Sequence, residues 1–140
     1  MTTSSDAPAQ HAQTPRGQAF RDILHGLIRT DHVRGGAIVA ADGFVITAEL
    51  PKETGVEALA ALTATLGREL EVGATRLGRG EVQTAVFAAE DGTLAIGATH
   101  VGFLVIIGDR ELNPANARTA MRKAVAAIHE GWGADTAGVG

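Results

Sequence analysis

Residues 35–51, with the sequence GGAIVAADGFVITAELP, predict a β-hairpin near the start of the folded chain. Two runs rich in β-branched residues flank Asp42-Gly43, and an Asp-Gly pair between such runs is a strong signal of a tight hairpin turn. The type I′ turn that this pair favours needs positive φ at both central residues. The same arrangement recurs at Asp91-Gly92, between AVFAAE and TLAIGA, and predicts a second hairpin.

Two helices are predicted at the ends of the folded chain. The first runs from Gly17 to about Thr30, where apolar residues recur at the 3.6-residue spacing of an amphipathic helix. The last opens at Asn113-Pro114, with asparagine as the N-cap and proline at the first helical position.

The longest predicted helix runs from about Thr54 to Leu77. Thr54 and Glu57 have the spacing of a capping box, and Gly78 is placed to cap the C-terminus. Two apolar strips follow the length of this helix. The first consists of Val56, Leu59, Leu62, Leu66, Leu70 and Leu77, and the second of the small residues Ala60, Ala61, Ala64 and Gly67.

The predicted order of elements is α-β-β-α-β-β-β-α. Two strands, 37–41 (AIVAA) and 103–107 (FLVII), are apolar without alternation. Such strands are normally covered on both faces, so we place them side by side at the centre of the sheet, with their hairpin partners outside them. This gives an α/β (α+β) three-layer sandwich, in which a five-stranded, mainly antiparallel sheet of order 2-1-5-4-3 has helices on both faces.

The two edges of this sheet differ. Strand 2 ends in residues that protect an edge, Glu49 and Pro51 among them, whereas strand 3 carries no Lys, Pro or inward charge. We therefore expect strand 3 to pair with another chain, and the small strip of the long helix to make close contact beside it; packing on the chain's own sheet is the alternative for the strip. The predicted dimer interface consists of Ala60, Ala61, Ala64, Gly67, Val82, Thr84 and Val86.

Composition describes one ordinary globular domain. The chain has 140 residues, 45% of them hydrophobic, and no cysteine, which excludes disulfides and thiolate metal sites. We expect a single domain over 17–132, a disordered tail at 1–16 and a flexible tail at 133–140. The sequence shows no secretion signal and no apolar run long enough to span a bilayer, so a cytoplasmic location is expected.

The residues present also limit the chemistry. The net charge is -4 without a basic run, which argues against binding to nucleic acid or a membrane surface. Tyrosine is absent and the only serines are Ser4 and Ser5, so the folded region has no Ser, Cys or Tyr nucleophile. The five histidines show no ligand spacing, and we single out only His100, near the turn before strand 5. No catalytic residue, metal or cofactor is predicted, and Asp42 and Asp91 are interpreted as turn residues.

From Phe20 to Ile128 the sequence resembles the Roadblock/dynein light chain (roadblock–longin) family. The resemblance is carried by the stretch at 35–51, then VEALAALTATLGREL at 56–70, then LAIGATHVGFLVII at 94–107. It implies a non-enzymatic module that dimerises through the third strand and the long helix, giving a continuous two-subunit sheet with paired helices on one face. Stand-alone bacterial members are similar to MglB-type co-regulators, which implies a small Ras-like GTPase as partner.

We therefore expect a homodimeric regulator or scaffold that acts through binding energy alone. The paired helices would present a charged platform whose predicted partner-binding residues are Lys52, Glu53, Arg68, Glu69 and Glu71. A solvated helix face is the alternative for these residues. For the whole protein the alternatives are a small-ligand sensor, with a pocket between sheet and helices, and a purely structural assembly module.

Overall fold

The computed structural model describes residues 15–139, including the side chains of residue 15 and residues 17–130. In this part of the chain, three helices and five strands follow one another in the predicted order. They are α1 (Pro15–Ile28), β1 (Val33–Ala40), β2 (Val45–Glu49), α2 (Val56–Arg76), β3 (Thr84–Ala89), β4 (Gly92–Thr99), β5 (Gly102–Gly108) and α3 (Pro114–Val139). Most of the predicted tail at 1–16 lies outside the described residues, and the domain bounds at 17 and 132 stay predictions.

The strands form one sheet in the order β2-β1-β5-β4-β3, and every neighbouring pair is antiparallel. The predicted order is thus confirmed. The central pair, β1 and β5, carries fully buried side chains, with Ile38, Val39, Leu104 and Val105 all at 0% exposure. Uninterrupted apolar strands belong at the centre because helices cover both of their faces.

Each face of the sheet has its own core, because successive side chains of a strand point to opposite faces. On one face, Phe20 and Leu24 of α1 and Met121 of α3 pack with Leu104. On the other face, Leu59 of α2 belongs to the second core, which also contains Val39, Phe103 and Val105. The helix α2 packs on β1, β2, β4 and β5, so its position is offset away from the edge formed by β3.

The first hairpin forms, but the predicted type I′ turn is wrong. Gly43 has positive φ (93°), whereas Asp42 does not. The Gly43 N–H donates to the Ala40 carbonyl at 2.9 Å, and the Asp42 carboxylate accepts the Phe44 N–H at 3.1 Å. The loop is therefore longer than a two-residue turn and is closed by one glycine with positive φ. An Asp-Gly pair is as compatible with this loop as with a type I′ turn.

The second hairpin departs from the prediction in a different way. Ala89 pairs with Gly92, so Glu90 and Asp91 form the two-residue loop and Gly92 already belongs to β4. Neither loop residue has positive φ. A Cβ at Gly92 would lie 2.7 Å from the carbonyl oxygen of Gly108. The glycine is therefore required by the close approach of β5 and not by the conformation of the turn.

The N-terminus of α2 is set by the turn that precedes it. Gly55 is the N-cap and makes no side-chain capping bond, so the predicted capping box of Thr54 and Glu57 is wrong. Thr54 lies instead in a turn after β2, where its N–H donates to the Pro51 carbonyl at 3.0 Å. The turn from Pro51 to Thr54 thus places the N-cap one residue later than the capping box predicts.

The predicted cap at the C-terminus of α2 is confirmed. Gly78 has φ of 68°, a left-handed conformation that glycine adopts without steric cost. The N–H of Gly78 donates to the Thr75 carbonyl and that of Arg79 to the Ala74 carbonyl, at 3.0 and 2.9 Å. This Schellman motif satisfies carbonyls that the helix end would otherwise leave unpaired.

The closest approach of α2 to the sheet provides a test of this packing. A Cβ at Gly67 would overlap the ring of Phe103, which is 3% exposed and has little room to move. We expect Gly67→Ala to lower the free energy of unfolding by about 1–3 kcal/mol through overpacking. The matched control is Gly73→Ala in the same helix, where no atom lies within 4 Å of the new Cβ. It should raise stability by roughly 0.5–1 kcal/mol, and urea unfolding measures both. Equal effects would show that Phe103 does not limit the helix–sheet distance.

Candidate dimer and partner-binding surface

The strand β3 forms one edge of the sheet, and among the described residues its strand pairing is to β4. Its sequence, TAVFAA, contains no charged residue and no proline. Edge strands are usually protected by such residues, so an edge that lacks them is suited to pairing with a further strand. Of the predicted interface residues here, Val82 precedes the strand, Thr84 opens it and Val86 packs against the core beneath α1 and α3; all three are half-buried.

One face of β3 remains uncovered beside α2. In the ladder, Phe87 stands opposite Leu94, which packs against the core under α2, so the two side chains share that face. Because α2 is offset toward the other strands, the Phe87 side chain is left 38% exposed. An aromatic ring at an unprotected edge is an unusual arrangement for a surface that faces only water.

The small-residue strip of α2 faces the chain's own sheet. Ala60 and Ala64 are each 2% exposed, and Gly67 is buried against Phe103. These three residues therefore pack on the chain's own sheet, as the alternative interpretation of the strip expected. Because they are buried, they have no free surface for direct contact with a partner. Ala61 alone among the four predicted residues is exposed. Small residues were needed because α2 lies so close to the strands beneath it.

The other strip of α2 leaves some of its large apolar residues exposed. Leu62 is 48% exposed, whereas Leu66, one turn further along, is half-buried against the core. Arg68 donates to the Ala41 carbonyl in the β1–β2 loop, which orients that flank of α2 toward β2. Leu66 lies about 200° around the helix from Arg68, so it is on the opposite flank of α2. The flank that carries Leu62 and Leu66 therefore faces the side of β3. We call Leu62, Leu66, Phe87 and Leu94 the apolar edge surface.

The predicted partner-binding residues do not form one cluster in a single chain. Lys52 and Glu53 are exposed in the turn before α2. Arg68, Glu69 and Glu71 are exposed in the C-terminal half of α2. About 18 Å of helix separates Arg68 from Val56, the first residue of α2, so these residues lie far from Lys52 and Glu53. The hydrogen bond to Ala41 gives Arg68 a structural role, since it braces the β1–β2 loop against α2.

A separate polar cluster lies at the end of the sheet near the start of α2. The Asp109 carboxylate accepts the Glu111 N–H at 2.8 Å, and lies 3.2 Å from His32 Nδ1 and 3.5 Å from Arg34 Nη2. The Glu111 N–H is the main cause that lowers the pKa of Asp109; His32 and Arg34 add to it, and burial opposes it. Asp109 is thus held as a carboxylate, which suits a turn that is fixed by ion pairs.

The same end of the sheet carries a groove of about 590 Å³ that is open to solvent. It lies outside the strand ends and not between sheet and helices, where the small-ligand alternative placed a pocket. Within residues 15–139 no group of three or more His, Cys, Asp or Glu side chains is arranged to hold a metal ion. The groove is lined by Ile28, Arg34, Glu49, Leu50, Pro51, Glu53, Thr54, Asp91, Ile107, Gly108 and Asp109.

With this geometry established, comparison with known proteins identifies the family. The sequence model of the Roadblock/LC7 domain matches residues 20–108. The chain belongs to the Roadblock/LC7 family. It is also 26% identical over 106 residues to the uncharacterised protein MJ1340 of Methanocaldococcus jannaschii. The aligned residues cover 76% of this chain and 93% of that protein.

Solved structures share the fold. The gliding protein MglB of Thermus thermophilus superimposes with a TM-score of 0.75 at 20% identity, over 84% of this chain and 90% of that one. Myxococcus xanthus MglB gives 0.77 at 17% identity with the same coverage. A third structure, described as MglB with a tetrameric arrangement, gives 0.67 at 22% identity, over 84% and 93%. Within residues 15–139, no helix of this Roadblock/LC7 protein has the length and apolar character to cross a membrane.

Sequence reasoning did not single out Phe87 or Leu62 for the candidate surface. Their signal was present, because a phenylalanine on an unprotected edge strand and the leucine-rich first strip of α2 are both visible in the sequence. What the sequence lacked was the lateral position of α2 over the sheet. That position decides which strip is covered and how far the cover extends toward β3.

The bracing role of Arg68 gives a second test. Arg68→Met keeps the aliphatic stem but removes the hydrogen bond to the Ala41 carbonyl, so we expect a loss of about 0.5–1.5 kcal/mol in unfolding free energy. Hydrogen exchange at the Gly43 amide, which donates to Ala40 in the same loop, should become faster. Arg76→Met, an exposed arginine in the last turn of α2, is the control and should leave Gly43 unchanged. Faster exchange in both variants would remove the specific role of Arg68.

Proposed function

We propose that this Roadblock/LC7 protein is a non-enzymatic, cytoplasmic homodimer that binds and regulates, or scaffolds, a small Ras-like GTPase. The observation that carries the proposal is the apolar edge surface beside an unprotected β3. Family membership supports it, because members of this family commonly pair through the third strand and the long helix. The MglB proteins of the same fold support a role in a GTPase pathway by analogy.

Pairing of two β3 strands would complete the surface. An antiparallel β3–β3 pair related by a two-fold axis perpendicular to the sheet extends the five-stranded sheet into a second copy and satisfies the unpaired backbone groups of both edges. The same axis places both α2 helices on one face of the doubled sheet. The two copies of the apolar edge surface then meet beside the axis, where Phe87 and Leu62 lose their contact with water.

The outward sides of the two α2 helices would form the partner-binding platform. Exposed residues there include Ala61, Glu69 and Val72, so the surface is flat and mixes apolar with charged groups. Transient signalling contacts have this character. The mechanism is population shift: the platform binds one conformation of the GTPase switch region more tightly than the other, and the GTPase itself performs any hydrolysis.

The assembly of the chain is tested by light-scattering mass at micromolar concentration. We expect a dimer for the wild type and a folded monomer for Phe87→Lys and for Leu62→Lys. Each lysine would place a charge in an apolar contact, which raises the dissociation constant by roughly tenfold to a hundredfold or more. The matched control is Ile46→Lys, because Ile46 is 39% exposed at the opposite edge, in β2.

The outcomes of this experiment separate cleanly. Dissociation by Phe87→Lys and Leu62→Lys with an intact Ile46→Lys dimer supports pairing through β3. A monomeric wild type contradicts the homodimer, and dissociation by Ile46→Lys alone would place the contact at β2. Circular dichroism of each variant verifies that the fold is retained, which is expected because all three positions are exposed.

Binding to the partner is tested with the purified small Ras-like GTPases of the source genome, loaded with GDP or a non-hydrolysable GTP analogue. Glu69→Lys should weaken binding of the GTPase by about tenfold, because it reverses a charge on the platform. Glu130→Lys is the matched control, since Glu130 is also an exposed helical glutamate but lies on α3, across the sheet. A dimer that binds none of these GTPases in either state would favour the alternative of a structural assembly module.

The small-ligand alternative expected a pocket between sheet and helices; the groove beside Arg34 and Asp109, at the end of the sheet, is a different place where a small ligand could be tested. A small-ligand function would be favoured if a thermal-shift screen of metabolites raised the unfolding temperature and Arg34→Met removed that effect. The dimer experiment is independent of this outcome because the groove lies at the end of the sheet and not at β3.

A further inference from the structure

Two histidines join the β4–β5 turn to the last helix. The ring of His100, in the turn, stacks on the ring of His129, in α3, with centroids 3.8 Å apart and planes 10° from parallel. The pair lies on the face of the sheet that α1 and α3 cover, away from the apolar edge surface. Parallel imidazoles at this distance pack well when they are neutral, whereas two imidazolium ions would place like charges in contact.

The position of His129 favours a neutral ring. His129 is half-buried, and its Nε2 is shut off from solvent without a hydrogen-bond partner among the described residues. A protonated imidazole carries N–H donors on both nitrogens, so protonation would leave a charged donor buried and unpaired at Nε2. Burial, and secondly the charge of His100, lower the pKa of His129 below 6.5.

The surrounding elements supply little charge to offset that effect. Neither β4 nor β5 contains a charged residue, and both pack against α3. The charged residues with described side chains on these helices are exposed, as is the titratable His25 of α1. Those on α3 are Arg118, Arg122, Lys123 and Glu130, and those on α1 are Arg21 and Asp22. Of the described groups, His100 is the one whose charge lowers the pKa of His129.

The turn that carries His100 is held firmly in place. Gly102 has φ of 144°, and a Cβ there would collide with the backbone of β1 at Val39 and Ala40. The Val101 N–H donates to Thr99 Oγ1 at 3.2 Å, and the Val101 side chain packs against the core. Repulsion between the two rings would therefore be relieved by movement of α3 more readily than by movement of the turn.

We propose that the His100–His129 stack is an acid-sensitive latch that holds the C-terminal half of α3 on the β4–β5 turn. The latch is closed when both rings are neutral and opens when acidification charges the pair. Its contribution to stability is present above pH 6.5, the ordinary histidine pKa, because the unfolded chain then binds no more protons than the folded one. The contribution is lost as the pH falls from there through the lowered pKa of His129.

The experiment follows the histidine ring protons by NMR between about pH 8 and pH 5, in the wild type and in His100→Gln. We expect His129 to titrate below 6.5 in the wild type and to shift upward in His100→Gln, which removes the repelling charge. His32→Gln is the control, since His32 pairs with Asp109 at another site and should leave His129 unchanged.

Release of the helix is measured by amide hydrogen exchange. At about pH 5.5, amides over residues 122–130 should exchange about tenfold faster in the wild type than in His129→Phe, which keeps a stacking ring but takes up no proton. Amides of β1 serve as an internal reference. If His129→Phe does not fold, the titration of the wild type and His100→Gln decides the matter by itself. The proposal is overturned if His129 titrates at or above 6.5, or if exchange over 122–130 is equal in the two proteins.

Discussion

The ladder between β1 and β5 is the contact on which the other elements of this domain depend. Beyond the exposed Arg34 near the start of β1, both strands are apolar on both faces, so most of the ladder forms away from water and its apolar side chains need covering elements. Ile38 and Leu104 require α1 and α3 on one side, and Val39 and Val105 require α2 on the other. The three-layer arrangement is therefore a consequence of two strands that cannot lie at an edge.

The covering of the two faces is unequal, and this inequality generates the candidate surface. On one face two helices share the sheet, with α1 over β1 and β2 and α3 over β3, β4 and β5, and Val86 of β3 packs into the core there. On the other face a single helix lies close over the central strands, at a distance that only Gly67 permits above Phe103. One helix is too narrow to cover five strands, so Phe87 and one flank of α2 remain exposed. This incompletely covered, uncharged sheet edge is the feature that supports the proposed pairing with a second copy.

The polar groups of the domain serve mainly to hold turns. Asp42 accepts a backbone N–H in the β1–β2 loop, Arg68 fastens that loop to α2, and Asp109 is fixed by the Glu111 N–H and by His32. The stacked pair of His100 and His129 differs from these contacts, because its stability depends on the absence of charge. The structure thus offers surfaces and one titratable contact as the features on which the proposed binding and its regulation rest.

The amino-acid sequence by itself determined the element order, the two hairpins, the strand order and the C-terminal cap of α2. These features depend on local signals, such as apolar runs, Asp-Gly pairs and Gly78, that need no knowledge of distant residues. The type of each hairpin turn and the burial of the Ala60, Ala64 and Gly67 strip were decided only by the tertiary structure. The same holds for the exposure of Phe87 and for the pairing of His100 with His129. Each of these follows from how near one element lies to another, and that distance is set by the packing of side chains from all three layers at once.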